Sequence, residues 1–97
     1  MPTYIALMNW TDQGVRNAKD TVNRYESARG QLEQSGVRLK DVYWTVGPYD
    51  LVTIAEAADD ATAAAGLLAL AGQGNLRTTT LRAFSADEMR GVVGKMG

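Results

Sequence analysis

The middle of the chain contains two apolar segments joined at a short turn, and this pairing constrains the fold more than any other feature. The segments Val42–Val46 and Leu51–Ala55 are rich in β-branched and aromatic residues, which favour strands. Between them, Gly47 can adopt positive φ, and Pro48 fixes its own φ and lacks an N–H. We therefore predict a β-hairpin with strands over 37–46 and 49–57, closed by a tight connection.

Hydrophobic periodicity predicts the elements on either side of this hairpin. In chain order they are a strand over 3–10, a long amphipathic helix from Thr11-Asp12 to Ser35-Gly36, the hairpin, a helix over 61–71, a strand over 76–84 and a short helix that begins at the capping box Ser85-Ala86-Asp87-Glu88. Lys40-Asp41 breaks the alternation of its strand and indicates a bulge or an exposed end. The β-α-β-β-α-β order is that of the ferredoxin-like split βαβ pattern.

The predicted fold class is therefore α+β, with one four-stranded antiparallel sheet in a single domain over residues 1–97. Both main helices cover one face of this sheet, and a short helix follows at the C-terminus. The first strand is apolar on both faces, since Ile5 and Leu7 alternate with Ala6 and Met8. We expect a second copy of the chain to cover the open face, giving a homodimer or a larger homo-oligomer.

Composition excludes several kinds of function. The net charge is −1 with scattered Lys and Arg, so we predict no nucleic-acid partner. No apolar run is long enough for a membrane span and the start does not resemble a signal peptide, so the expected location is cytoplasmic. The chain has no Cys and no His, which rules out disulfides, thiol nucleophiles and Ser-His catalysis. For the same reason we predict no cofactor and no dedicated transition-metal site.

Three pieces of the sequence resemble the GYD domain family, named for a Gly-Tyr-Asp motif. They are Asn9-Trp10-Thr11 after the first strand, the hairpin residues Gly47, Tyr49 and Asp50, and the segment 75–84. Here Pro48 separates the Gly from the Tyr, so the match is to a spaced form of the motif. The resemblance implies a dimeric α+β barrel, in which two ferredoxin-like units pack sheet against sheet. Its relatives include cofactor-free monooxygenases, isomerases and ligand-sensing modules.

The candidate catalytic residues are Asp50 and Tyr49 at the start of the third strand. In the functional interpretation Asp50 is a general base and Tyr49 donates a hydrogen bond to a substrate oxygen. In the structural interpretation Asp50 hydrogen-bonds the backbone of its own turn. Trp10 and Asn9 are candidate ligand-binding residues, although Trp10 can equally fill the core or a dimer interface, and Asn9 can be a turn residue.

Arg77 and Arg82 complete the candidate ligand-binding set. They lie five positions apart on the fourth strand and therefore on opposite faces of the sheet. Each can form an ion pair, for example with Asp50 or Glu56, or bind an anionic ligand through its planar guanidinium. Antiparallel order places the start of the fourth strand beside the end of the first. We therefore predict that Asp50, Tyr49, Trp10 and one of these arginines converge at one edge of the sheet.

Two functions are compatible with these features. The first is a homodimeric barrel that binds a small, partly apolar or anionic molecule between each sheet and its helices. If this barrel is an enzyme, it catalyses a cofactor-free reaction there. The second is a non-enzymatic assembly or ligand-sensing module, in which the motif residues hold the turn and the dimer. RNA binding is disfavoured, because the third strand lacks the exposed aromatics and basic motif of an RNA-recognition sheet.

Overall fold

The computed structural model describes residues 1–97, which form four strands and four helices. The elements in chain order are β1 Thr3–Trp10, α1 Asp12–Arg16, a 3₁₀ turn Ala18–Asp20, α2 Thr21–Gln34, β2 Val37–Trp44, β3 Leu51–Ala57, α3 Asp60–Gly72, β4 Leu76–Ala83 and α4 Ala86–Gly94. The strands form one antiparallel sheet in the order β2-β3-β1-β4. The α+β fold and the four-stranded sheet therefore agree with the prediction.

The central hairpin forms, but its loop is longer than the tight turn that we predicted. The last strand pair is Trp44 opposite Leu51, so residues 45–50 lie outside both strands. Gly47 has φ +133°, a conformation that a residue with a side chain rarely adopts, and Pro48 has no N–H for a ladder. The expected irregularity of β2 is confirmed as a shift in register between Leu39 and Asp41.

The long first helix that we predicted is interrupted. α1 ends at Arg16, a 3₁₀ turn follows, and α2 begins at Thr21. The interruption follows from the way α1 contacts the loop before β4: Gly14 lies so close to the carbonyl of Asn75 that a Cβ atom at Gly14 would be 2.0 Å from its oxygen. Arg24 donates hydrogen bonds to the carbonyl oxygens of Gly14 and Asn17, which also accept from backbone N–H groups, and so ties α2 to the interrupted segment.

The core lies between one face of the sheet and the helices α2 and α3. Side chains at alternate positions of the strands point to this face, and Leu32 and Ala63 contribute from the helices. The main cluster of buried residues is Tyr4, Leu32, Val37, Leu39, Ala55, Ala57 and Ala63. A smaller cluster at the other end of the sheet contains Ala6, Met8 and Leu51. Both helices thus pack on the same face, as the sequence predicts.

No helix of the same chain covers the opposite face of the sheet, which we call the open face. Its centre is apolar, because Ile5 lies directly between Ile54 on β3 and Leu81 on β4. α4 is exposed along its whole length. None of the four helices has both the length and the apolar content that a membrane-spanning segment needs.

Candidate functional site

The loop 45–50 is held against the end of β1 by the carboxylate and backbone of Asp50. The Asp50 N–H donates to the carbonyl of Met8 at 2.8 Å, and the Trp10 N–H donates to Asp50 Oδ2 at 2.9 Å. β3 begins only at Leu51, so the Trp10 N–H has no strand partner on that side. The carboxylate takes the place of the missing strand carbonyl. The structural interpretation expected Asp50 to bond the backbone of its own turn, whereas its carboxylate bonds the backbone of β1.

Three further hydrogen bonds hold the same loop. The Asn9 side-chain amide donates to the carbonyl of Pro48 at 2.7 Å. Thr45 donates twice, from its N–H to the carbonyl of Asp50 at 2.8 Å and from its hydroxyl to the carbonyl of Tyr49 at 2.6 Å. The side chains of Asn9 and Asp50 therefore hydrogen-bond to backbone groups, and Tyr49 accepts a hydrogen bond through its carbonyl oxygen.

Trp10 lies on the helix-covered face and lines a cavity between the sheet and the helices. The cavity measures about 50 Å³, its walls are mostly apolar, and Tyr25 and Arg24 of α2 also line it. A space of this size holds a few water molecules, whereas sites for small organic ligands are roughly 300–1,000 Å³. Asn9, Tyr49, Asp50 and both candidate arginines are absent from its walls.

Arg77 lies at the same edge of the sheet as Trp10 but on the other face. In the register of β1 with β4, Arg77 is opposite Asn9 and Leu76 is opposite Trp10, so Arg77 points to the open face. The four groups that we predicted to converge therefore lie at one edge, as expected, but Arg77 and the Trp10 ring are on opposite sides of the sheet. The candidate groups do not surround one cavity.

Arg82 lies at the far end of β4, on the helix-covered face. Its guanidinium is stacked over the rings of Tyr4 at 5.7 Å and Phe84 at 4.6 Å, and it donates to the carbonyl of Thr3 at 3.4 Å. Its ion-pair partner is Glu88, with an N–O distance of 3.9 Å, so the predicted pairing with Asp50 or Glu56 is wrong for this residue. The physical reason is that β4 runs away from Asp50, and the turn into α4 brings Glu88 to the arginine.

A second polar group of side chains surrounds Tyr4. Its hydroxyl donates to Asp60 Oδ1 at 2.6 Å at the start of α3, and this bond to a carboxylate is the main reason that the pKa of Tyr4 is raised. The backbone N–H of Thr62 hydrogen-bonds Asp59 and lowers the pKa of that carboxyl. Both carboxylates lie at the positive end of α3 and stabilise it. These hydrogen bonds cap α3 and join its start to β1.

The sequence reasoning missed two residues near the cavity. Arg24 falls within the one long helix that we predicted, yet it bridges the interruption between α1 and α2. The indole N–H of Trp44 donates to the Thr21 hydroxyl at 3.0 Å, and its ring meets Tyr25 edge to face with centroids 5.9 Å apart. Gly14 and Asn17 inside an otherwise helical pattern were the signal for this arrangement, since both residues disfavour helix interiors.

The fold and sequence of the chain are similar to known proteins. A curated relative from Thermus thermophilus, named glutamine synthetase and cystathionine beta-lyase binding protein, is 38% identical over 90 residues, which is 92% of this chain and 95% of the relative. The crystal structure of TTHA0845 from Thermus thermophilus matches with a TM-score of 0.51 and 28% identity, covering 89% of this chain and 96% of that one. The family model of the GYD domain matches residues 4–93, which confirms the resemblance seen in the motif residues. The chain belongs to the GYD domain family.

Proposed function

We propose that this protein is a non-catalytic protein-binding module, which self-associates through its open face and binds metabolic enzymes. The relative named for binding glutamine synthetase and cystathionine beta-lyase supports this choice, since the two chains match over almost their whole lengths. The proposal takes enzymes of these two kinds as the first partners to test. It places the protein in the cytoplasm, as the sequence predicts.

The observation that carries the proposal is the apolar centre of the open face. Side chains of three adjacent strands form it, with Ile5 and Leu7 from β1, Val52 and Ile54 from β3, and Leu81 from β4. None of these five side chains is fully buried, and Leu81 is 47% exposed. Contiguous apolar patches on soluble proteins usually mark surfaces that another protein covers.

The edge of the open face supports the same conclusion. Arg38 and Glu56 lie opposite each other at one end, Asp41 lies on the edge strand β2 beside Ile54, and Arg77 lies towards the other end. Protein interfaces commonly have such an apolar centre with a polar rim. A second copy packed sheet against sheet would bury the centre and leave the charged rim in water, so the proposal includes a homodimer of the α+β barrel type.

The arrangement of the chemical groups favours binding over catalysis. The carboxylate of Asp50 is hydrogen-bonded to the backbone of β1, Arg82 is stacked and ion-paired, and Arg77 points away from the cavity. A general base has to reach its substrate at hydrogen-bond distance. We infer that these side chains stabilise the loop and the strand ends rather than a transition state.

A second candidate function is the binding of a small apolar molecule beside Trp10. The observation in its favour is the apolar cavity that Trp10 and Tyr25 line, with Arg24 as a cationic wall. At about 50 Å³ the cavity would have to open before such a molecule could enter. Mass spectrometry of the purified protein under native conditions tests this, because a resident molecule would add its mass to the chain.

The protein-binding proposal is tested by titrating immobilised wild-type protein with purified glutamine synthetase and cystathionine beta-lyase from the same organism. The Leu81→Glu variant places a charge on the open face, and Val22→Glu is its control on α2, where Val22 is 52% exposed. The proposal takes the sheet-paired dimer as the form that binds the enzymes, and a charge at Leu81 disrupts that dimer. We therefore expect saturable binding for the wild type and for Val22→Glu, and loss of binding by at least tenfold for Leu81→Glu. Absence of binding to either enzyme, or equal binding by all three proteins, would contradict the proposal.

A further inference from the structure

The last helix, α4, presents an apolar stripe that nothing in the chain covers. Met89, Val92 and Val93 follow the i, i+3, i+4 spacing of one helix face, and Met96 follows just beyond the end of α4 at Gly94. Their exposed fractions are 46%, 37%, 53% and 79%. Every residue from Phe84 to Gly97 is exposed, so no part of the chain buries these four side chains.

A helix of this length is not stable by itself. α4 has 9 residues, whereas isolated helices shorter than about 12–15 residues are marginal in water. The capping box of Ser85 and Glu88 secures its first turn, and the ion pair of Arg82 with Glu88 joins that turn to β4. These contacts fix where α4 begins but leave its apolar side chains exposed, so packing on a second molecule would stabilise the helix.

The molecule is more extended than a compact domain of the same length. The longest extent is 51 Å, whereas an eight-residue strand spans only about 27 Å. The radius of gyration is 14.5 Å, compared with about 12.5 Å for a compact domain of this length. The accessible surface is 6330 Å², and a compact monomer of 10.5 kDa has about 5,400 Å². The excess is similar to the roughly 800 Å² that each partner buries in a standard interface.

The same chain carries a groove of matching character between α3 and β4. Its volume is about 490 Å³, its α3 wall is apolar, and its β4 wall is polar with Thr78, Thr80 and Arg82; the apolar residues are Ala63, Ala64, Leu67, Leu68 and Ala71. Small alanine side chains allow a second helix to approach closely. Leu68, 73% exposed, offers apolar contact area at the rim. The groove is on the helix-covered side, so it stays accessible when a second sheet covers the open face.

We propose that α4 is an exchange arm whose apolar stripe packs into the α3–β4 groove of a second copy of the chain. Helix and groove are both unpartnered in one molecule, and each supplies what the other lacks, which is the self-complementarity of a homo-oligomeric contact. This contact is separate from the open face and deepens the proposed function, since it joins sheet-paired dimers into a larger assembly. Heterologous contacts of this kind form closed rings or open chains, depending on the angle between copies.

The test is sedimentation velocity of the full-length protein at micromolar concentration, with one variant for each surface. Val93→Glu places a charge on the stripe, Leu68→Glu places one in the groove, and Val22→Glu is the control with matched exposure. We expect the first two variants to sediment as smaller species than the wild type and Val22→Glu to sediment with it. An equimolar mixture of the first two should recover association, because Leu68→Glu keeps an intact arm and Val93→Glu an intact groove.

The other outcomes distinguish the proposed contact between arm and groove from other contacts between copies. If Val93→Glu sediments with the wild type, the arm contacts no second copy. If Val93→Glu dissociates but Leu68→Glu does not, the arm binds elsewhere. Leu81→Glu is measured beside these variants: if it alone dissociates, the sheet pairing is supported and the arm is refuted. If only the arm and groove variants dissociate, the arm is supported and the sheet pairing is refuted.

Discussion

Replacing three glycines by alanine tests how tightly α1 is fixed against the loop before β4. At Gly14 the new Cβ atom would lie 2.0 Å from the carbonyl oxygen of Asn75, so α1 or the loop has to move. At Gly66 it would lie 3.0 Å from side-chain atoms of Leu32 and Val37, which can adjust. At Gly30 it would meet nothing within 4 Å. The three substitutions are chemically identical and differ only in the space available.

The expected effects follow from these distances. Movement at Gly14 strains the bonds that Asn75 accepts, from the Thr11 N–H at 3.1 Å and the Gln13 amide at 3.0 Å. Each is worth about 1 kcal/mol, and the steric overlap costs a further 1 kcal/mol or more, so we expect Gly14→Ala to lower the free energy of unfolding by about 2–3 kcal/mol. Helix propensity makes Gly30→Ala stabilising by about 0.5–1 kcal/mol. The two effects offset each other in Gly66→Ala, which stays within about 1 kcal/mol of the wild type.

Urea unfolding followed by the fluorescence of Trp10 and Trp44 measures all three variants at one protein concentration, because the proposed self-association would make stability depend on concentration. The order of stability should be Gly30→Ala first, then Gly66→Ala, then Gly14→Ala. In thermal unfolding, the loss at Gly14 corresponds to a fall in Tm of about 10–20 °C. A Gly14→Ala protein as stable as Gly30→Ala would refute the close packing of α1 on the loop.

Two further predictions concern the strand end and the last helix. Asp50→Asn keeps an oxygen for the Trp10 N–H and should lower the free energy of unfolding by about 1 kcal/mol or less. Asp50→Ala leaves that N–H unpaired and should lower it by about 1–3 kcal/mol. Equal urea midpoints for the two variants would contradict this role of Asp50. Glu88 has its pKa lowered, first by the hydrogen bond from the Ser85 N–H, so its capping contribution is present above the ordinary pKa of about 4.3 and is lost as pH falls through the lower folded value. Carbon-13 NMR should show Glu88 titrating below about 4.3 together with loss of helical shifts in α4, and a midpoint at or above that value would count against the capping box.

Sequence alone predicted the sheet, because β-branched, aromatic and other apolar residues favour strands locally. It also indicated a bulge or an exposed end at Lys40-Asp41 and the capping box at Ser85, which depend on a few adjacent residues. The interruption after α1 was missed because apolar periodicity continues across Asn17, while the cause is a long-range contact of Gly14 with Asn75. The periodicity of a helix carries no information about a contact with Asn75, which is distant along the chain.

The candidate residues show the same limit. The sequence placed Trp10, Tyr49, Asp50 and Arg77 at one edge, and strand order was sufficient for that. It did not reveal that the Asp50 carboxylate replaces a strand carbonyl for Trp10, because that role depends on where β3 begins. It also missed the pairing of Arg82 with Glu88, which depends on the direction in which α4 leaves the sheet.

The central claim is that a single chain leaves apolar surface exposed which the functional form covers with a second copy. Sedimentation equilibrium of the wild-type protein between about 1 and 100 μM tests this most directly, since specific interfaces of standard size hold at such concentrations. The account predicts a mass of at least twice the 10.5 kDa of one chain across this range. A single species of 10.5 kDa throughout would contradict it.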